Sequence, residues 1–287
     1  MAPWSLWRTP PIQATAPLAA LLALLSLVAC GVEPDGDDVI ARGIEVHGGE
    51  RFENARVTFD FRGEEWSLER QDGRFRYERR YQDDDDRPVL EGMTNDSTFR
   101  QVDGEPVDLD EEERADVELD VNSVTYFAFL PFRLDDPAVQ SRYMGVRSID
   151  GELHYQVEVT FQEDGGGPDW DDRFIHWFHA EEGTLGYVAY RYYRGDGGTR
   201  FREAVNPREK GGLRVQDWVN SHVEGISDIA HYPDSLEAGA LEHVSDVELE
   251  NVEVQDSDTP TGSRTRTRTK PCTTIDAKCA FAFFPPS

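Results

Sequence analysis

Lysine is nearly missing from this sequence. Only three of its 29 basic residues are lysines, and between Gly31 and Gly262 there is one, Lys210. Acidic residues number 57, so the formal net charge is −28. Within Gly31–Gly262 the imbalance is larger, 23 basic residues against 56 acidic ones. Such a body repels nucleic-acid phosphates and anionic membrane surfaces, which excludes nucleic-acid binding. Its general reading is adaptation to high salt, where screening removes self-repulsion and carboxylates keep the surface hydrated. Cysteine is scarce too, confined to Cys30, Cys272 and Cys279. With no cysteine cluster and no HExxH stretch, the ordinary zinc ligand sets are missing. His176 and His179 stand three apart in an extended run, and strand residues at that spacing point to opposite faces, so they do not share a metal. There is no GxSxG elbow for nucleophilic catalysis. The glycine turns at Gly165–Gly167 and Gly195–Gly198 lead into strands, with no helix N-terminus to hold a phosphate. These absences predict a protein that is not an enzyme and carries no cofactor.

Long apolar runs are also lacking. The one candidate, Leu18–Ala29 (LAALLALLSLVA), is too short for a comfortable bilayer span and has the length of a signal-peptide h-region, with Arg8 the only charge before it. It ends in Leu27-Val28-Ala29-Cys30, followed by Gly31, which resembles the bacterial lipobox. The expectation is a lipoprotein signal peptide over residues 1–29 and a lipidated linker over 30–38, with Cys30 acylated. At about 0.8 kcal/mol per buried CH₂, several acyl chains make a stable tether. The absence of Asp directly after Cys30 implies the outer membrane, on its periplasmic or its surface face.

From Val39 onward, period-two alternation governs. A short helix is expected over Asp37–His47, capped by Asp37 or Asp38, with Val39, Ile40, Ile44 and His47 on one face and Gly48-Gly49 as the stop. Strands follow around Val57–Phe61, Trp66–Leu68 and Phe75–Tyr81, broken by Arg62-Gly63, Gln71–Gly73 and Asp83–Asp86. Arg76, Glu78 and Arg80 are expected to face solvent. Weaker strands fall at Pro88–Thr94 and Thr98–Val102. The acid-rich start at Asp110–Asp116, then Val121, Val124, Phe127 and Ala128, predict a helix stopped by Pro131. A second short helix is expected at Asp135-Asp136, with Pro137 at its first position. The stretch His154–Asn206 holds four extended runs separated by turns, the pattern of an antiparallel meander. Gly212–Ser221 is a further strand, and Ser227–Ala240 an irregular or helical crossing. Leu241–Val254 reads as one last strand with a bulge between Val244 and Val247. Domain limits of 39–254 follow, with a disordered tail over 255–287 in which Cys272 and Cys279 either pair or do nothing structural.

Four fragments carry a resemblance: Ala41–Gly49, Val121–Val139 (VNSVTYFAFLPFRLDDPAV), Val157–Gly167 (VEVTFQEDGGG) and Thr199–Arg208 (TRFREAVNPR). They resemble a Bacteroidota-type family of uncharacterised lipoproteins, a domain of unknown function with a LolA-like fold. The resemblance implies an α+β fold in which a single antiparallel sheet curls into a half-barrel with helices on its concave face. It also implies a hollow of the kind that binds lipid or lipoprotein acyl chains.

Two sets of candidate site residues result. Phe59, Phe61, Trp66, Phe75, Tyr77, Tyr155, Phe161, Phe174, Phe178, Tyr187, Tyr190 and Phe201 are expected to line the concave face, either as core beneath the helices or as the wall of a groove for an apolar ligand. The acidic loop Glu163–Asp172 offers Asp164, Asp169, Asp171 and Asp172 as oxygen ligands for Ca²⁺, although their spacing departs from DxDxDG and the same composition makes an ordinary hairpin loop. The leading expectation is a monomeric, lipid-anchored envelope protein that binds an apolar ligand. The alternatives are an interaction lipoprotein with a filled core and a hydrolase with a polar cluster in the hollow.

Overall fold

Five hairpins turn on the same two-residue device. Arg62-Gly63, Asp72-Gly73, Asp103-Gly104, Asp150-Gly151 and Gly211-Gly212 all hold positive φ at both positions. That geometry matches the right-handed twist of the flanking strands, and glycine or aspartate supplies it at least cost. The computed structural model describes residues 33–163, 170–193 and 195–257. The turns join β1 (Ala55–Phe61), β2 (Glu64–Gln71) and β3 (Arg74–Gln82) to each other, β5 (Thr98–Val102) to β6 (Glu105–Val107), β7 (Val139–Ile149) to β8 (Glu152–Phe161), and β11 (Gly198–Lys210) to β12 (Leu213–His222). β4 (Pro88–Thr94), β9 (Arg173–His179), β10 (Leu185–Tyr192), β13 (Glu242–Val247) and β14 (Glu250–Asp256) complete the strands.

The strands form two antiparallel sheets, where a single sheet was expected. The first runs β14-β1-β2-β3-β4-β5-β6 and the second β13-β12-β11-β10-β9-β8-β7, and neither closes on itself. The expected last strand, Leu241–Val254, is in fact two: β13 pairs with β12 and β14 with β1, so one chain path links the sheets. The reason lies at Leu249. Its N–H donates to Asp217 Oδ1 at 3.0 Å, and its carbonyl accepts from Arg208 Nη2 at 2.5 Å. Side chains thus replace the ladder there, and the strand is free to change sheets.

Helix α1 (Gly36–His47) is capped by Asp35, which accepts from the Asp38 N–H at 2.7 Å, and ends at Gly48 with φ of 95°. The cap is therefore two or three residues upstream of the expected Asp37 or Asp38. A single turn, α2 (Gly49–Phe52), follows. Helix α3 (Glu111–Ala128) opens with a capping box between Asp110 and Glu113. No helix begins at Asp135. Asp136 Oδ1 instead accepts from the Ala138 N–H at 3.0 Å, and the turn leads directly into β7. The crossing before β13 holds a 3₁₀ turn at Ile229–His231 and α4 (Tyr232–Glu237). Among the described residues no helix is long and apolar enough to cross a membrane.

α1 lies on β7, β8 and β12, whereas α3 lies on β3–β5 and reaches β12. One main core joins these helices, the segment Phe129–Leu134 and the inner face of both sheets. A smaller cluster of Ile149, Ile175, Trp177, Ala189, Phe201, Ile229 and Tyr232 covers the opposite face of the second sheet. Glu78 corrects another expectation. It is buried, because Arg76 Nε at 2.6 Å and Arg80 Nη2 at 2.8 Å close over it from two residues away on either side.

Candidate functional site

Strand register puts a polar row on the inner face of the second sheet. Val188 stands opposite Arg202, Arg202 opposite Asn220, and Asn220 opposite Ser245. Asn220 Nδ2 donates to Ser245 Oγ at 3.3 Å. Arg202 is the one buried arginine among the described residues. Its guanidinium carbon sits 3.3 Å from the ring centroid of Phe127, near the end of α3, and 5.5 Å from that of Tyr190. Nη2 donates to the Tyr190 hydroxyl at 3.3 Å, while Nε and Nη1 are buried with no acceptor. Burial pushes the Arg202 pKa down, the Tyr190 hydroxyl opposes that, and the positive charges of Arg62 and Arg200 add to it.

Beside this row lies a cavity of about 360 Å³, between the two sheets and the C-terminal half of α3. Phe61, Trp66, Val124, Phe127, Ala128, Val247 and Leu249 form its apolar wall, and Arg202, Asn220 and Ser245 its polar one. Trp66 Nε1 and Asn220 Oδ1 are buried there without partners. Glu64, Asp120 and Arg62 contribute a more exposed rim, with Arg79 behind them. Arg79 holds Asp120 at 2.8 Å, Glu91 at 2.6 Å and Glu64 at 3.5 Å. Burial raises the pKa of both Glu64 and Asp120, and Arg79 opposes the shift in each. The carboxylates of the rim are thus engaged by Arg79 and leave Arg202 alone.

The twelve aromatic candidates divide. Phe61 and Trp66 line the cavity, and Tyr190 holds Arg202. Phe59, Tyr77, Phe161, Phe174 and Phe178 are buried in the main core, with Phe75 and Tyr155 partly buried at its edge. Tyr187 and Phe201 do not share this face and belong to the opposite cluster. Tyr187 stands three residues from the inward Tyr190, so alternation puts it on the other face, and a bulge between Leu185 and Tyr187 separates it from the inward Leu185. Tyr187 pairs with Trp177 and Phe201 with Ala189, all on the outer face, so both aromatics turn outward. With Phe201 outward, Arg202 turns inward, a placement that taking Phe201 as inward had hidden. Phe127, Asn220, Ser245, Val247 and Leu249 were not among the expected site residues. The sequence signal for them is an arginine adjacent to a buried aromatic, readable only once the strand's phase is known.

His176 sits between Phe174 and Phe178 with both ring nitrogens buried and unpartnered, and burial pushes its pKa down to about 3. His179 lies on the other face, against His154. Of the Ca²⁺ candidates, Asp164 and Asp169 lie outside the described residues, as do Cys30, Cys272 and Cys279. Asp171 is exposed, and Asp172 Oδ1 accepts from the Tyr193 N–H at 3.3 Å. Among the described residues no three His, Cys, Asp or Glu side chains are grouped to hold a metal.

A model of a family of unknown function, DUF6503, matches residues 23–249. The chain belongs to the DUF6503 family. No curated protein matches it at a significant level. Among solved structures, it is similar to a LolA superfamily protein from Nitrosomonas europaea, with 9% identity and a TM-score of 0.42 over 78% of this chain and 92% of that one. A putative outer membrane lipoprotein-sorting protein domain from Vibrio parahaemolyticus is similar at 10% identity and a TM-score of 0.37, over 79% and 95% of the two chains. A DUF1329 family protein from Desulfovibrio piger gives 10% identity and a TM-score of 0.35, over 75% and 90%. Likeness at these scores carries no inference about ligand or activity.

Proposed function

We propose that this DUF6503 protein is a non-catalytic envelope protein that binds an apolar ligand in the cavity beside α3. The observation that supports this is the cavity wall: Phe61, Trp66, Val124, Phe127, Val247 and Leu249 face about 360 Å³ of open volume. Ligand cavities span about 300–1,000 Å³, so this one suits a single short chain and is too small for the several chains of a whole lipoprotein anchor. Each CH₂ it takes from water contributes about 0.8 kcal/mol. The location rests on the N-terminus. The apolar run Leu18–Ala29 ahead of Cys30 supports export and an acyl tether at the outer membrane, where the protein works as a monomer.

A second reading, an interaction lipoprotein with a filled core, draws on a different observation. Phe59, Phe174 and Phe178 are at most 2% exposed, and Phe129 and Phe132 fill the inner face beside them. Native mass spectrometry of the protein purified from its own membrane separates the two. The binding reading expects a reproducible extra mass that is released as lipid on denaturation. A bare polypeptide mass, together with no binding of fluorescent fatty acids, leaves the interaction reading in its place.

A further inference from the structure

We infer that the cavity selects an amphiphile with an anionic oxyacid head, carboxylate or phosphate, and that Arg202 is the residue that binds that head. This deepens the proposed function and rests on its placing the ligand in this cavity. The chain carries 57 acidic side chains against 29 basic ones, yet its one buried arginine among the described residues forms no ion pair with a described carboxylate. A buried guanidinium without an anion is costly, and removal of an acidic partner from such a pair is strongly destabilising. The rings of Phe127 and Tyr190 offset part of that cost through their negative faces, and the Tyr190 hydroxyl accepts one hydrogen bond. Three N–H donors remain on Nε and Nη1 of Arg202 with nothing to receive them.

A second set of observations points to the same place. Trp66, whose Nε1 is also buried and without an acceptor, comes from the other sheet and lines the same cavity. Residues with unpartnered donors therefore line one cavity from both sheets, and Asn220 and Ser245 add polar side chains beside them. The charged lining is Arg62, Arg79 and Arg202 against Glu64 and Asp120, a local excess of positive charge in a strongly acidic protein. The rest of the wall is apolar. An anionic head against Arg202, with its chain along Phe61, Val124, Val247 and Leu249, satisfies both halves.

The test is isothermal titration calorimetry of the full chain with four probes that share a ten-carbon chain: decanoate, decyl phosphate, decanol and decyltrimethylammonium. The expected result is that decanoate or decyl phosphate binds at least ten-fold tighter than decanol, and that the cation does not bind. The tighter of the two anions identifies the head. In Arg202→Gln and Arg202→Met, the preference for the anion over decanol is expected to disappear. Equal affinity of the wild-type protein for decanol and both anions overturns the anionic-head inference and leaves the apolar-ligand reading standing. Binding of none of the four overturns both. The wild-type series needs no variant, so misfolding of a substituted protein does not remove the test.

Discussion

Glu91→Gln tests how α3 and the cavity rim are held. Glu91 is fully buried in the centre of a cross-strand row, opposite Arg79 on β3 and Arg100 on β5. Oε1 accepts from Arg79 Nε at 2.7 Å, and Oε2 from Arg100 Nε at 2.6 Å. Arg79 in turn holds Asp120 of α3 at 2.8 Å. Each hydrogen bond to a charged group contributes about 1.5–3 kcal/mol net. Glutamine keeps the shape but loses the charge, and it turns one acceptor into a donor that faces a guanidinium. Asp120 and Glu64 remain near Arg79, and Glu113 near Arg100, which limits the damage. The expected loss is therefore near the low end of the range for a broken buried pair, about 3 kcal/mol. Urea unfolding followed by far-ultraviolet circular dichroism measures it as a lower midpoint at unchanged slope. Run at 0.15 M and at 1 M NaCl, the loss is expected to persist, because a buried pair is screened little. A loss under about 1 kcal/mol, or one that disappears at 1 M salt, would refute the claim that this carboxylate anchors the row.

Three further predictions follow from the same packing. His176 is neutral when folded, with its pKa at about 3, and protonates near pH 6.5 when unfolded, so its contribution is complete above pH 6.5 and is lost as pH falls towards 3. His176→Leu is expected to flatten the acid limb of the stability curve by up to about 1.4 kcal/mol per pH unit, and an equally steep limb in the variant would contradict the buried neutral ring. A methyl added at Gly43 would meet the Phe178 ring at 2.4 Å, so Gly43→Ala is expected to cost about 1–3 kcal/mol in thermal unfolding as α1 lifts, and an unchanged melting temperature would show that α1 does not seat there. Asp217→Asn weakens the carboxylate that receives the Leu249 N–H and Arg208 at 3.0 Å each, so amide exchange at Leu249 is expected to quicken at least ten-fold, and unaltered protection would mean that the link between the sheets is held by something else.

The parts of the fold that were legible in the sequence are those decided locally. Arg62-Gly63, Asp72-Gly73 and Asp110 with Glu113 act on their own neighbours, and the strands between the turns and the helix after Asp110 fall where the residues predict. What was not legible depends on partners far along the chain. Leu241–Val254 reads as one strand because its own alternation is nearly continuous. It becomes two only because Asp217 and Arg208 capture Leu249, and because β1, nearly two hundred residues earlier, provides a second ladder. Strand phase failed for a related reason. Tyr187 and Tyr190 are three apart and take opposite faces, the bulge in β10 turns Tyr187 away from the face of Leu185, and pairing with the outward Ala189 puts Phe201 outside and Arg202 inside.

The scarcity of lysine takes on a structural meaning once the arginines are placed. Arg79 binds three carboxylates, Arg173 reaches both Glu158 and Asp228, and Arg208 joins Asp217 to the Leu249 carbonyl. Each contact set uses a planar fork of several donors, which a lysine point charge does not reproduce. In an acid-rich chain these forks neutralise partly buried carboxylates and tie strands to helices. Arg202 has the same side chain in a different setting: ring faces and one hydroxyl surround it where Arg79, Arg173 and Arg208 hold acids. Among the described residues it is the one buried arginine, it lines the cavity, and its Nε and Nη1 have no acceptor. On the inference drawn above, an anion bound at Arg202 stabilises the whole domain, so decanoate or decyl phosphate is expected to raise the melting temperature, and an unchanged midpoint with both would count against it.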